Sequence, residues 1–319
     1  MIARGAFRLP DEQQKALIRA WRLEWIWLAV LLSITAAIYF ALGNSQAMKT
    51  AWIEDLLSFV PPIAFLVATS LERREPNARF PLGYIRVTSI AYLIAAVSIA
   101  AVGLFLIYDS GMVLIRQEHP TIGTVELFGV TFWFGWLMLA ALVYSVVPPV
   151  VFGRLKMRQA RPLHDKVLWA DAVMNKADWM TGLAAAVGVV GIGFGLWWAD
   201  AVAALLIAID VLHDGFVHTR AAIHDLMDRV PRTIDGKETD PIHARVKDFA
   251  EGLPWVKISR IRLREEGRFL AGTVYVMPRG ASVDPEWVTM AERELRHSHW
   301  RLLRVSIVPV SDLERIEGE

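Results

Sequence analysis

Six stretches of roughly twenty mainly apolar residues, the length that crosses a bilayer as a helix, follow one another along this chain. They are Trp25–Gly43, Trp52–Leu71, Ser89–Asp109, Leu127–Phe152, Val167–Gly195 and Ala199–His218. The polar segments between them differ in charge. Arg4, Arg8, Lys15, Arg19 and Arg22 precede the first stretch, and Arg73, Arg74, Arg79 and Arg86 follow the second. Arg154, Lys156, Arg158, Arg161 and Lys166 follow the fourth, whereas the intervening connections offer only Lys49 and Arg116. Lysine and arginine collect on the cytoplasmic side of membrane proteins. All the basic clusters therefore fall on one face, and both termini are expected in the cytoplasm.

After Leu226 the apolar character drops and the periodicity changes. Pro231 to Gly236 reads as a linker, followed by a helix over Pro241–Glu251 and strands over Val256–Arg264 and Phe269–Met277. A second helix over Pro285–His297 and a strand over Leu302–Val310 complete the chain. The strands alternate apolar and polar positions, with Ile258, Ile261 and Leu263 in one and Val274 and Val276 in the next. Asp284 before Pro285 has the form of an N-cap with proline at the first helical position. The expected fold is an α-helical membrane protein of six transmembrane helices with a C-terminal cytoplasmic α+β domain of order αββαβ. Its divisions fall at 1–24 (cytoplasmic segment), 25–220 (membrane domain), 221–240 (linker) and 241–319 (soluble domain).

Composition agrees with that division. Of the 319 residues 55% are hydrophobic, mean hydropathy is +0.37, and there are 13 tryptophans, too apolar a balance for one soluble domain. Charged residues make up 21% but gather at the two ends. A net charge of +1 leaves no basic footprint for nucleic acid. With no cysteine, disulfides and thiolate metal sites are excluded. Met1 to Arg22 lacks the core and cleavage site of a signal peptide, so the first apolar stretch reads as a retained span. No nucleophile, phosphate loop or cofactor motif points to an enzyme. No resident cofactor is expected, and the lipid bilayer is the surrounding medium.

Against this apolar background several carboxylates stand out: Asp55 ahead of the Pro61-Pro62 break, Asp171, Asn175 and Asp178 along one stripe, and Asp210 and Asp214 in the last span. An ionisable group in hydrocarbon costs at least ~3 kcal/mol, so it normally faces the bundle interior and marks an ion or proton path. Many acids with few bases point to a cation. At about 100° per residue, Asp171 and Asp178 lie only ~20° apart around the helix, with Lys176 on the opposite face. Pro61 and Pro62 lack amide hydrogens, so they should free the carbonyls of Leu57 and Ser58 within a turn of Asp55. Acids beside freed carbonyls suit hard, oxygen-preferring ions such as Mn²⁺, Mg²⁺ or Fe²⁺.

The segment Ala170-Asp171-Ala172-Val173-Met174-Asn175-Lys176-Ala177-Asp178 is similar to the fifth span of the cation diffusion facilitator family. Trp198-Ala199-Asp200-Ala201, Leu226-Met227-Asp228 and Pro81-Leu82-Gly83-Tyr84 resemble further landmarks of that family. The resemblance implies a homodimeric exporter of divalent metal ions that exchanges them for protons, with an αββαβ domain in the cytoplasm. It also implies that Asp178 is a metal ligand, since it keeps the family's aspartate, while Met174 replaces the family's histidine. In span two the register offers Asp55 with Phe59 or Glu54 with Ser58, one carboxylate where the family has two ligands. Arg79-Phe80 and Tyr84 stand at the histidines of the loop site, and Val305 to Pro309 contains none, so a tight zinc cluster in the soluble domain is not expected.

The expected metal ligands are Asp55 and Asp178, supported by Asn175 and Asp210. Each has a plainer reading: Asn175 as interhelical glue, Asp210 paired with Lys176, Met174 as packing, and Asp171 and Asp200 as capping or hydrogen-bonding groups. His297 and His299 have the spacing of a ligand pair or of two surface residues. A non-transporting protein that keeps the fold is the alternative to an exporter. Accessibility labelling is expected to place Lys49 and Arg154 on opposite faces of the membrane; labelling from the same face would overturn the topology.

Overall fold

The computed structural model describes residues 9–42, 46–117, 123–127, 130–280 and 283–313. Seven helices form the first part: α1 (Asp11–Ala41), α2 (Gln46–Leu57), α3 (Val60–Leu71), α4 (Val87–Arg116), α5 (Gly135–Leu163), α6 (Lys166–Gly193) and α7 (Ala199–Leu226). A hairpin of β1 (Thr124–Leu127) and β2 (Val130–Trp133) lies between α4 and α5. Among the described residues, Asp11–Ala41, Ala51–Leu71, Val87–Arg116 and Gly135–Leu163 are long and apolar enough to cross a membrane. α6 and α7 are as long but carry ionisable residues along their length.

The element boundaries correct several expectations. The helix that carries the first apolar stretch begins ahead of Trp25: α1 starts at Asp11, with Asp11 and Glu12 in its first turn, where acids favour helix initiation. Arg4 and Arg8 lie outside the described residues. The fourth span does not start at Leu127. Thr131, Phe132 and Trp133 are β-branched or aromatic and pair in the hairpin instead. α5 then runs through Pro148, Pro149 and Pro162 to Leu163, so Arg154, Lys156, Arg158 and Arg161 sit on its last turns. α7 continues to Leu226, into the stretch assigned to a linker. Between α2 and α3 the helix breaks at Ser58 and Phe59, and the two prolines occupy the first turn of α3, where their missing amide hydrogens cost little.

α4 packs along α7 and α5 along α6. The first pair meets backbone to backbone: a Cβ on Gly103 would fall 2.5 Å from the Leu212 nitrogen, and one on Gly215 would fall 2.4 Å from that of Ala100. Small residues permit such approach in membranes, where the lipid supplies no hydrophobic drive between helices. The apolar interior comprises Phe65, Ala95, Ile99, Leu168 and Met174 in one cluster and Trp27, Leu31, Met138 and Val189 in another.

The remaining elements are α8 (Pro241–Gly252), β3 (Val256–Glu266), β4 (Phe269–Pro278), α9 (Pro285–Ser298) and β5 (Leu302–Pro309). Their sheet runs β3-β4-β5, the first pair antiparallel and the second parallel. Val246, Leu263, Val274, Leu295 and Val305 form its core. Asp240 and Asp284 cap α8 and α9 by accepting from Ile242 N at 2.9 Å and Glu286 N at 2.8 Å.

The β3–β4 turn docks on one end of the helix bundle. Glu265 pairs with Lys166 at the start of α6, and Lys166 also donates to Asp225 of α7 at 2.7 Å. Burial alone would raise the Glu265 carboxyl. The Lys166 ammonium, His164 and the Arg301 guanidinium outweigh it and hold it at about 2. A carboxyl depressed in the folded state adds stability above its ordinary value and loses it as pH falls through the folded value. Docking is therefore expected to persist at neutral pH and to loosen between about 4.5 and about 2. Spin-label distances across the two parts at graded pH would show this, and Glu265→Gln should abolish the acid transition.

Candidate cation site within the helix bundle

The break after α2 turns its last polar residues toward α6. Glu54, Asp55 and Ser58 are all buried, and so are Asp178 and Thr181 on the facing helix. The Ser58 hydroxyl donates to Asp178 Oδ1 at 2.6 Å, and Thr181 donates to Glu54 Oε1 at 2.8 Å. Glu54 and Asp55 both interact electrostatically with Asp178. Three carboxylates from two helices thus face one another with hydroxyls between them. Asp55 Oδ2 and Asp178 Oδ2 are buried and accept no hydrogen bond. No lysine or arginine pairs with any of the three among the described residues. Unsatisfied buried carboxylate oxygens are costly, and either protons or a bound cation would relieve them. A cavity of about 40 Å³ reaches Glu54 and Thr181, bounded by Leu106, Asp109 and Ser110 of α4 and by Ala201 of α7.

Both span-two registers contribute. Ser58 is the residue that touches Asp178, Glu54 lies on the same face, and Asp55 is also turned inward. Phe59 is only partly buried and packs in the apolar interior. Thr181 is one turn beyond Asp178, a spacing legible in the sequence once Asp178 is taken as a reference.

The other candidates separate. Asn175 is buried, with its Nδ2 unpartnered, and faces α5, where a Cβ on Gly153 would lie 3.3 Å from the Asn175 Cβ. Met174 is wholly buried in the apolar core. Asp210 is not brought to the cluster. Its carboxylate meets Lys176 at 3.0 Å, both side chains being about half exposed (50% and 47%), and Asp214 joins them at 3.4 Å. That placement follows from the opposite-face position of Lys176. His297 lies on the surface with Nδ1 2.6 Å from the Arg293 carbonyl, and His299 accepts from the Arg301 amide at 3.2 Å, so the two make no ligand pair. Among the described residues, one set of three potential ligands, His164, Asp240 and Glu265, brings its atoms within 4.8 Å. Arg301 and Lys166 already neutralise its carboxylates.

Asp171 belongs to a different arrangement. Lys156 Nζ lies 2.6 Å from Asp171 Oδ2 and 3.0 Å from Glu24 Oε2, and 4.8 Å over the Trp27 ring. All three ionic side chains are fully buried. Lys156 falls among the basic residues after the fourth apolar stretch, because charge density alone does not reveal that α5 extends so far. The signal for Glu24 and Lys156 is the presence of opposite charges on two otherwise apolar helices beside the Asp171 stripe.

A family model for the cation efflux transmembrane domain matches residues 24–227. The chain is 24% identical over 248 residues to the manganese efflux system protein MneS of Bacillus subtilis (strain 168), covering 77% of each. It is 25% identical over 267 residues to the magnetosome protein MamM of Paramagnetospirillum magneticum (strain ATCC 700264 / AMB-1), covering 82% of this chain and 76% of that one. A cadmium, cobalt and zinc/H(+)-K(+) antiporter of Bacillus subtilis (strain 168) is 25% identical over 210 residues, 63% and 61% of the two chains.

The Lys156 arrangement predicts a stability effect. Lys156→Met leaves two buried carboxylates without a counter-charge and should cost about 3–5 kcal/mol. Adding Glu24→Gln and Asp171→Asn should restore most of it. Unfolding in detergent measures both, and a Lys156→Met protein as stable as the parent would refute the pairing.

Proposed function

The chain belongs to the cation diffusion facilitator (cation efflux) family of metal-cation exporters, and we propose that it exports a hard divalent cation from the cytoplasm in exchange for protons. The cargo is held by Asp55, Asp178 and Glu54, with Ser58 and Thr181 as neighbouring oxygens. The observation that carries this reading is the hydrogen bond of 2.6 Å from Ser58 to Asp178, which joins the α2 carboxylates to α6 where, among the described residues, no lysine or arginine forms an ion pair with them. Five oxygen-bearing side chains and no histidine favour manganese-like ions over zinc. The manganese efflux systems among its relatives support the same choice. Asn175, which faces α5, and Asp210, which pairs with Lys176, are left out of this reading.

The chemistry of exchange follows from like charges held close together. Facing carboxylates cannot all remain ionised in a dry interior, so either a divalent cation or protons must balance them. Metal binding therefore releases protons, and acid displaces metal. The membrane part crosses six times in this reading, α2 and α3 forming one broken span, with both termini in the cytoplasm of a bacterial plasma membrane. The soluble domain joins two copies into a homodimer.

Manganese-dependent proton flux in proteoliposomes across a panel of divalent ions tests the proposal. Asp178→Asn and Asp55→Asn should abolish coupled flux while leaving the protein folded, and Asp210→Asn should retain it. Wild-type flux in both of the first two variants would remove the site assignment.

A further inference from the structure

Arg268 lies in the β3–β4 turn of the soluble domain and is only 1% exposed, unusually deep for an arginine. Its two terminal nitrogens go to two different helices. Nη2 meets Asp165 Oδ2 at 2.6 Å, and Nη1 meets Glu72 Oε1 at 3.3 Å. Glu72 is the residue that closes α3, and Asp165 is the N-cap of α6, its other oxygen accepting from the Leu168 amide at 3.0 Å. The same turn reaches two more helices. The Gly267 amide donates to Ser89 of α4 at 3.0 Å, and Glu265 engages α7 through Lys166 and Asp225.

The two helices that Arg268 bridges are those that bring the cargo carboxylates together. The α2–α3 unit carries Glu54, Asp55 and Ser58, and α6 carries Asp178 and Thr181. We propose that Arg268 is a positioning residue: a latch from the soluble domain that sets the spacing of α3 and α6 at the cytoplasmic end and thereby the spacing of the cargo site. The inference rests on the cargo-site reading above.

Two features suit a latch rather than a permanent weld. Both Glu72 carboxylate oxygens and Arg268 Nη1 are buried without a hydrogen bond, so the α3 side is held by charge alone, whereas the α6 side has a short hydrogen bond. The bridge should therefore part on the α3 side first, leaving Arg268 with α6. Arginine is the side chain for this task, because its planar fork serves two carboxylates at once and cannot be deprotonated.

The chain contains no cysteine, so a pair of introduced ones is labelled cleanly. Spin labels at Arg74→Cys and Arg161→Cys, both exposed positions flanking Glu72 and Asp165, report the spacing in nanodiscs. In the full-length labelled parent one short separation should dominate. Arg268→Gln should raise the population of longer separations about tenfold, the scale of a coupling energy of this kind. Glu72→Gln should do the same from the membrane side and serves if Arg268→Gln fails to fold. Arg268→Lys, which keeps the charge but not the fork, should fall between. Manganese flux in the variants should lose kcat by a similar factor, with a much smaller change in KM.

Unchanged separations in well-folded Arg268→Gln and Glu72→Gln proteins would overturn the latch, as would a flux loss without any change in spacing. The distances are read without transport. An absence of manganese flux in the parent would thus count against the cargo reading, and altered distances in the variants would still uphold the α3–α6 bridge.

Discussion

An ionic side chain among apolar helices has to find a counter-charge, water or a cargo, and this constraint sorts the carboxylates of the bundle. Asp171 and Glu24 share Lys156 in the interior. Asp210 and Asp214 share Lys176 at a half-exposed face. Asp165 and Glu72 share Arg268 at the end nearest the soluble domain. Glu54, Asp55 and Asp178 are left with hydroxyls and one another, and two of their oxygens accept nothing. The pairing of the other acids thus sets this cluster apart from them. Acidity alone would not have done so, since every one of these residues is an acid within or capping a helix.

α6 ties the arrangement together. Asp165 caps it, Lys166 binds the soluble domain, Asp171 joins the Lys156 pair, and Asp178 faces α2. Asp171 and Asp178 share a stripe, so the acid paired with Lys156 and the acid facing α2 are about 10 Å apart at 1.5 Å per residue. A movement of α6 would be felt by the salt bridges and by the site together. Packed helices with interlocked charges switch between discrete arrangements more readily than they deform.

The helical character, the soluble domain's elements and the inward stripe of α6 were legible in the sequence because each is a periodicity. Asp178 was legible because it stands in a motif, and the Lys176 face because it follows from 100° per residue. Asp210 lies midway along its span, yet it pairs with Lys176. Depth along a span can be counted, but the direction it faces relative to another helix cannot. Glu24 and Lys156 were missed because α1 and α5 run past their apolar cores, and helix ends are where sequence periodicity is weakest. The register of span two was a false choice. Once the chain breaks at Ser58, neighbouring residues Glu54 and Asp55 can both turn inward.

The same break bears on selectivity. Glu54, Asp55 and Asp178 differ from the set at His164, whose ligating atoms lie within 4.8 Å and which two bases already neutralise. In the proposed reading, like charges hold the three carboxylates apart until a positive charge draws them together. A set that closes around its ion is tolerant of ligand number and geometry, as hard cations with oxygen ligands require. A compact tetrahedral site of nitrogen and sulfur donors, which zinc prefers, would draw on a histidine, and position 174 is a methionine. The methionine is packed in the apolar core and wholly buried, so its replacement by histidine would put a polar ring into that core. Selectivity is thus tied to packing, and a zinc-type donor at this position would have to be accommodated by the helices around it before it could bind metal.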